Sequence, residues 1–314
     1  MRSFERYVTT AGALAAAIIV AGCSGSGQSA GLSATGTVTQ LSFATPEDAV
    51  AALADAAATS DTAYMRSIFG PEVAEFSSGD ADVDAFERQL FAAAIARRSE
   101  LSPRDGGGFD VLVGERRVPF PAPIVQTQGR WIFDTLTGVD RLADQRVGFN
   151  ELRTISGLRA IAAAQAEYRT ADRDGDSVPE YAVRVLSTPD LRDGLYWPTA
   201  DNEPNSPLGA FYTEGEVPAS ASLGYHGYFF VILTSQGPGA PGGARDYLDA
   251  GGNLVGGFAV LAYPAVYGET GIMSFQMGAD GVVLQKDLGP ETTPTAGNSI
   301  RAFDAAAGWT PAQD

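Results

Sequence analysis

The chain has 314 residues, which is enough for two domains of ordinary size. Its 38 acidic residues outnumber its 21 basic residues and give a formal net charge of −17, so the surface lacks the basic footprint that nucleic acid requires. One cysteine and one histidine exclude a disulfide within the chain and a zinc site built from several histidines.

Residues 1–22 have the three parts of a secretory signal peptide. They combine a positively charged start, a short apolar stretch at residues 11–20 and two small residues before a cleavage point. The apolar stretch is shorter than the roughly 20 residues that a membrane-spanning helix needs. We therefore predict that residues 1–22 are removed from the mature protein.

The sequence around the single cysteine makes this signal more specific. Residues 20–23 read Val-Ala-Gly-Cys, which resembles the cleavage motif of bacterial lipoproteins. The resemblance implies that Cys23 becomes the acylated first residue and anchors the protein to a membrane. Ser24, where an aspartate would favour the inner membrane, favours the outer membrane facing the periplasm. Because an acidic body does not adsorb to anionic lipid by itself, the lipid is the predicted membrane contact.

An N-terminal domain is predicted to follow a tether. Residues 23–40 are rich in Ser, Gly and Thr, which is typical of a flexible linker. The domain at residues 41–147 begins with a helix that Thr45 is expected to cap. Two more helices are predicted, at residues 62–69 and 83–98.

The third of these helices and the strands after it complete the predicted domain. Phe86, Leu90, Phe91 and Ala94 recur at helical spacing and are expected to face the core. Strands are predicted at residues 109–113, 124–127 and 130–134. Helices followed by a small antiparallel sheet resemble the NTF2-like α+β fold.

A C-terminal domain is predicted at residues 148–314. A helix at residues 137–147 ends the first domain, and Asn150 is expected to cap a separate amphipathic helix at residues 151–169. Strands are predicted at residues 225–234, 254–263, 271–277 and 282–286. An antiparallel meander packed on a long helix resembles the globular head of type IV pilins, so both domains are predicted to be α+β.

An acidic loop is the candidate ion site. Asp172, Asp174 and Asp176 alternate along the chain, and Glu180 follows four residues later. Crowded carboxylates in a tight loop favour a hard cation, and calcium accepts six to eight oxygen ligands. The sequence therefore predicts a structural calcium site at these four residues, and calcium is the only cofactor that it suggests.

The loop also departs from an EF-hand. Ser177 stands at the position of the turn glycine, and Val183 stands at the position of the bidentate glutamate. The remaining oxygen donors would have to come from Glu180, Asp193 or a backbone carbonyl. The alternative interpretation is a solvated acidic turn that ends a helix.

His226 is the candidate for catalysis. A catalytic histidine needs a nucleophile and an orienting carboxylate within reach, and no motif places such groups around His226. An enzyme would combine His226 with carboxylates such as Asp246 and Glu269. The alternative is a half-buried histidine without a catalytic role.

Six strings along the chain resemble a bacterial family known as domain of unknown function 2950. They are FATPE at residues 43–47, WIFD at 131–134, DRDGD at 172–176, LYWP at 195–198, YHGY at 225–228 and QKDLG at 285–289. The resemblance implies a secreted or lipid-anchored envelope protein and supplies no activity.

Two functions follow from these observations. The first is a lipid-anchored, non-enzymatic binding or scaffold protein of the cell envelope, with calcium as a structural ion and an unidentified envelope protein or small ligand as partner. The second is an envelope hydrolase that uses His226 and carboxylates as acid and base.

Overall fold

The computed structural model describes residues 40–76, 81–173, 175, 177–200, 202–209, 224–306 and 308–313. The predicted signal peptide, Cys23 and residues 24–39 of the predicted tether lie outside the described residues. The chain divides into two compact units, Met1–Gln145 and Arg146–Asp314. No helix in the described part is both long enough and apolar enough to cross a membrane.

The first unit begins with helices. They are α1 (Pro46–Thr59), α2 (Thr62–Phe69) and α3 (Ala81–Arg97), with a 3-10 turn at Pro71–Phe76 between the last two. The predicted cap of α1 is confirmed, because the Thr45 hydroxyl accepts a hydrogen bond from the Asp48 N–H at 3.1 Å. The Asp48 carboxylate accepts in return from the Thr45 N–H at 3.2 Å, so two of the unpaired donors of the helix start are satisfied.

An antiparallel sheet follows in the first unit, in the order β1-β2-β4-β5 with β3 paired to β2. Its strands are β1 (Ser99–Pro103), β2 (Phe109–Val113), β3 (Val118–Pro119), β4 (Ile124–Thr127) and β5 (Arg130–Phe133). The segment before α1 already pairs with this sheet, because Phe43 and Trp131 of β5 exchange backbone hydrogen bonds of 2.7 and 2.9 Å. The side chain of Gln40 donates to the Phe133 carbonyl at 2.6 Å, so residue 40 is already part of the fold.

The prediction for the core face of α3 is wrong at two positions. Phe86 is 60% exposed and Leu90 is 37% exposed, while Phe91 and Ile95 are buried. The Phe91 ring packs on Phe120 with the ring centroids 5.5 Å apart, and Asp84, seven residues earlier on the same helical face, is buried as well. The inward face therefore combines apolar and acidic side chains.

The predicted break between two helices near residue 148 is also wrong. A single helix, α4, covers Thr135–Tyr168 and includes the boundary between the units. Asp134 lies just before it and accepts hydrogen bonds from the N–H and hydroxyl of Thr137. Asn150 caps nothing and instead donates to the Thr270 carbonyl at 2.9 Å. A glycine inside a helix costs only about 1 kcal/mol, so Gly148 is tolerated within the long helix.

The second unit is built on a five-stranded antiparallel sheet in the order β14-β13-β12-β11-β8. Its strands are β8 (Tyr228–Leu233), β11 (Ala259–Pro264), β12 (Met273–Met277), β13 (Val283–Asp287) and β14 (Thr310–Pro311). Two small sheets accompany it, a parallel pair of β6 (Arg184–Leu186) with β7 (Gly194–Tyr196) and an antiparallel pair of β9 (Ser235–Gln236) with β10 (Arg245–Asp246). Two short helices, α5 (Gly289–Thr292) and α6 (Ala296–Ser299), follow β13.

The apolar face of α4 belongs to the core of this second unit. Ile155, Leu158 and Ile161 lie in the same buried cluster as Tyr228 and Phe275 of the sheet. The prediction of an α+β fold is therefore confirmed. The likenesses to NTF2-like domains and to pilin heads stay predictions.

Candidate functional site

The acidic loop begins directly after the end of α4. Asp172 folds back on the loop: one of its carboxylate oxygens accepts from the Gly175 N–H at 2.7 Å and the other from the Ser177 N–H at 3.0 Å. Gly175 and Ser177 both have positive φ angles, of 89° and 69°. Asp174 and Asp176 lie outside the described residues.

The end of this loop is fixed against a second turn. Glu180 accepts a hydrogen bond from the Leu254 N–H at 2.9 Å, and the Tyr181 N–H donates to the Leu254 carbonyl at 3.0 Å. In the turn just before Leu254, one oxygen of Asp249 accepts from the N–H groups of Gly251 and Asn253. Glu180 thus contacts Leu254 directly, and Asp249 organises the turn that precedes Leu254, which forms an isolated bridge with Leu248.

The carboxylate of Asp193, a predicted additional ligand, contacts other residues than the acidic loop. Its carboxylate accepts from the Thr188 N–H at 2.7 Å and from the Thr188 hydroxyl at 2.8 Å, and it pairs with Arg184 at 3.1 Å. Burial alone would raise the pKa of Asp193, but the hydrogen bonds from Thr188 and the charge of Arg184 outweigh burial and lower the pKa. These contacts make Asp193 a poor candidate for the missing donor.

Within the described residues, no group of three or more His, Cys, Asp or Glu side chains converges on one point. Asp174 and Asp176 of the candidate loop are not among these residues. The calcium site therefore stays a prediction, supported by the position of Asp172 at the start of the loop.

His226 occupies a tight turn. The backbones of Tyr225 and Tyr228 exchange two hydrogen bonds, and His226 and Gly227 between them have φ angles of 48° and 77°. Two successive positive φ angles define a type I′ hairpin turn, and histidine is among the residues that tolerate this region. A β-carbon at Gly227 would lie 2.7 Å from Thr270, so glycine is required there.

The ring nitrogen of His226 that an orienting carboxylate would contact lies next to an arginine instead. His226 Nδ1 lies 3.1 Å from a terminal nitrogen of Arg153. Because a guanidinium only donates, Nδ1 accepts and is unprotonated in this arrangement. A Ser-His-Asp arrangement needs a protonated Nδ1 that donates to the carboxylate. The turn is better explained as part of the packing around α4.

The other carboxylates of the enzyme interpretation have local roles or lie exposed. Asp246 is exposed and accepts from the Leu248 N–H at 3.0 Å, and Glu269 is exposed in the loop between β11 and β12. A pocket in the first unit has no carboxylate in its lining, which consists of Ala56, Ala57, Ser60, Thr62, Met65, Arg88 and Phe91. None of these contacts favours acid-base catalysis.

An acidic pair on α3 escaped the sequence analysis. Asp84 is 3% exposed, and one carboxylate oxygen of Glu87 is buried and accepts no hydrogen bond within the described structure. Burial, and next the charge of Asp84, raise the pKa of Glu87 to about 7. The signal was the spacing of Asp84 and Glu87 relative to Phe91, which places all three on one helical face.

A family model described as "Protein of unknown function (DUF2950)" matches residues 40–312 of the chain. No curated protein matches the chain. No solved structure matches it either.

Proposed function

We propose that this chain, which belongs to the DUF2950 family, is a non-enzymatic binding or scaffold protein of the bacterial cell envelope. In this proposal a lipid on Cys23 anchors the protein to the outer membrane, and the two folded units extend into the periplasm. Calcium in the loop that begins at Asp172 stabilises the second unit. The partner is an envelope protein or a small ligand.

The arrangement of Asp172 carries the calcium part of the proposal. A carboxylate that accepts two backbone N–H groups from its own loop is held at the loop entrance, where it is the first of the three alternating aspartates. Counted from Asp172, Asp174 and Asp176 stand at positions three and five, where an EF-hand places ligands. The backbone carbonyl of Val178 stands at position seven.

The missing bidentate glutamate is the weak point of a single-loop site, since Val183 stands in its place. We propose that Glu180, which accepts from the Leu254 N–H, and the Asp249 turn just before Leu254 supply the remaining oxygen ligands. Such a site would connect the end of α4 to the entrance of the sheet. A structural ion that binds only the folded state stabilises it by RT ln(1 + [L]/Kd), so the gain grows with the logarithm of the ion concentration above the dissociation constant.

Calorimetry tests the calcium part. We expect calcium to bind to the metal-free mature chain with measurable heat and to raise its melting temperature by several degrees. Asp172→Asn should abolish both effects. Asp246→Asn is the matched control, because Asp246 is an exposed aspartate of the same unit that also accepts from a nearby backbone N–H. Equal calcium responses in both variants would contradict the site.

Metabolic labelling with palmitate tests the anchor. The wild-type chain should incorporate the label and sediment with outer membranes, and Cys23→Ser should do neither. Ser24→Asp should redirect the labelled protein toward the inner membrane. An unlabelled wild-type chain found free in the periplasm would contradict the anchoring.

A further inference from the structure

A buried glutamine of α4 holds the far end of the acidic loop. The side chain of Gln165 is fully buried, three residues before the helix ends at Tyr168. Its Oε1 accepts a hydrogen bond from the Ala182 N–H, and its Nε2 donates to the Ala182 carbonyl, both at 2.8 Å. The chain therefore leaves α4 after Tyr168 and returns to the same helix at Ala182, with the acidic loop between these two points.

Glutamine satisfies both backbone groups of Ala182 at once. Ala182 is 1% exposed, so its N–H and carbonyl lie away from water, where an unpaired backbone group is costly. An ionised glutamate would accept from the N–H but has no donor for the carbonyl, and methionine offers neither a donor nor a strong acceptor. The two hydrogen bonds join residues that are 17 positions apart, so they offset part of the entropy that is lost when this stretch of chain is closed.

A second residue of the same helix face contacts the end of the loop. Arg169 lies four residues after Gln165 and is therefore its neighbour on the helix surface. A terminal nitrogen of Arg169 donates to the Tyr181 hydroxyl at 2.9 Å, and its guanidinium carbon lies 4.8 Å from the centroid of the Tyr181 ring. The Tyr181 N–H in turn donates to the Leu254 carbonyl at 3.0 Å. Residues 181 and 182 are thus fixed by contacts of the chain itself, and the buried contact among them is that of Gln165.

We propose that Gln165 is a positioning residue that keeps the acidic loop closed on α4 and thereby sets the affinity of the loop for calcium. This inference rests on the calcium site proposed above and names the residue that prepares it. Asp172 lies four residues after the end of α4 and Glu180 two residues before Ala182, so the contact at Ala182 limits how far apart these two carboxylates can move. A cation that needs the closed loop binds with an apparent dissociation constant that rises as the closed fraction falls.

Gln165→Met tests the inference, because methionine is an unbranched side chain of similar length that makes neither hydrogen bond. Calorimetry of the metal-free mature chain with calcium should show a dissociation constant raised about tenfold, as expected if the closed fraction falls to about one tenth. Hydrogen exchange of the Gly175 and Ser177 amides, measured by NMR in the presence of a chelator, should become several-fold faster. Asp172 accepts from these two amides only while the loop is closed, and neither amide contacts Gln165.

Gln236→Met is the matched control. Gln236 is another buried glutamine of the second unit, and its Nε2 donates to the carbonyls of Pro241 and Gly243, at 2.8 and 2.6 Å. The control should lower the melting temperature, as Gln165→Met does, but leave the calcium dissociation constant within twofold of the wild type and the exchange of the two loop amides unchanged. If Gln165→Met does not fold, Gln165→Glu, which loses only the donor to the Ala182 carbonyl, should change both measurements in the same direction.

Two results would overturn the inference. One is that the substitutions at positions 165 and 236 change the calcium affinity or the loop exchange equally, and the other is that the substitution at position 165 changes neither. A wild-type chain that binds no calcium would overturn the calcium site itself. The exchange measured in chelator does not depend on calcium, so it still decides whether Gln165 closes the loop.

Discussion

The carboxylate of Asp172 accepts a hydrogen bond from the Ser177 N–H at 3.0 Å, across a turn in which Ser177 has a φ of 69°. A residue with a β-carbon is strained at such an angle and persists there only when its surroundings hold it. In an EF-hand loop glycine occupies this position because the chain turns sharply there. Ser177 thus has a positive φ at the position that corresponds to the turn glycine of an EF-hand.

Replacing Ser177 by glycine should relieve this strain. We expect Ser177→Gly to leave the free energy of unfolding unchanged or to raise it by up to about 1 kcal/mol, since the left-handed conformation is free for glycine but costs other residues about that much. Urea denaturation without calcium measures the change. Ser177→Ala keeps the β-carbon and should show no gain; a loss of more than about 1 kcal/mol in Ser177→Gly would contradict the role assigned to the turn.

Glu87 should make the first unit less stable as the pH rises. Its pKa of about 7, raised by burial and then by Asp84, lies above its ordinary value of 4.5 in the unfolded chain. The folded state therefore holds the proton more tightly, and the stabilisation present below pH 4.5 is lost as the pH rises through 7. We expect the free energy of unfolding to fall by about 1–2 kcal/mol over this range. This is less than the full pKa shift would give, because Glu87 is only partly buried.

Urea denaturation at pH 5 and at pH 8 measures this loss, and Glu87→Gln is the test variant because its amide cannot ionise. The difference between the two pH values should shrink by the stated amount in Glu87→Gln. Glu72→Gln, at an exposed glutamate of the same unit, should leave the difference as in the wild type. An unchanged pH dependence in Glu87→Gln would show that the buried carboxyl does not titrate in this range.

Glu151 should stabilise the contact between α4 and the start of β12. One of its oxygens accepts from the N–H groups of Ile272 and Met273, at 3.0 and 2.9 Å. Glu151→Ala leaves both donors without this acceptor, and we expect a loss of about 1–3 kcal/mol in the free energy of unfolding. Glu269→Ala, at an exposed glutamate of the neighbouring loop, should change it by less than about 0.5 kcal/mol. Equal effects of the two substitutions would remove the special role of Glu151.

Local signals in the sequence predicted the elements that depend on local chemistry. The Thr45 cap followed by Pro46, and the hairpin of β4 and β5 around the Gln128-Gly129 turn, are short-range patterns and are found as predicted. The continuity of α4 through Gly148 was not predicted, because a capping residue such as Asn150 after a glycine is a local signal for a helix boundary, whereas the cost of one glycine inside a helix is only about 1 kcal/mol. The assignment of Phe86 to the core was wrong because helical spacing does not show which face of the helix turns inward. The contact with Phe120 is made by Phe91, and Phe86 is exposed.

The candidate sites follow the same division. The spacing of Asp172, Asp174 and Asp176 is a local pattern and was visible in the sequence. The contact of Glu180 with Leu254 joins residues 74 positions apart, and the contact of Gln165 with Ala182 joins residues 17 positions apart. Such contacts depend on the fold of the whole unit, so local patterns in the sequence do not predict them.

The most direct measurement is a high-resolution crystal structure of the mature chain grown in calcium, with anomalous data to identify the ion. The proposal predicts one anomalous peak with oxygen atoms of Asp172, Asp174 and Asp176 among its six to eight ligands, at roughly 2.3–2.6 Å. A further ligand should come from Glu180 or from the turn at Asp249. A loop with clear density for all three aspartates and no peak between them, at calcium concentrations of several millimolar, would contradict the calcium site.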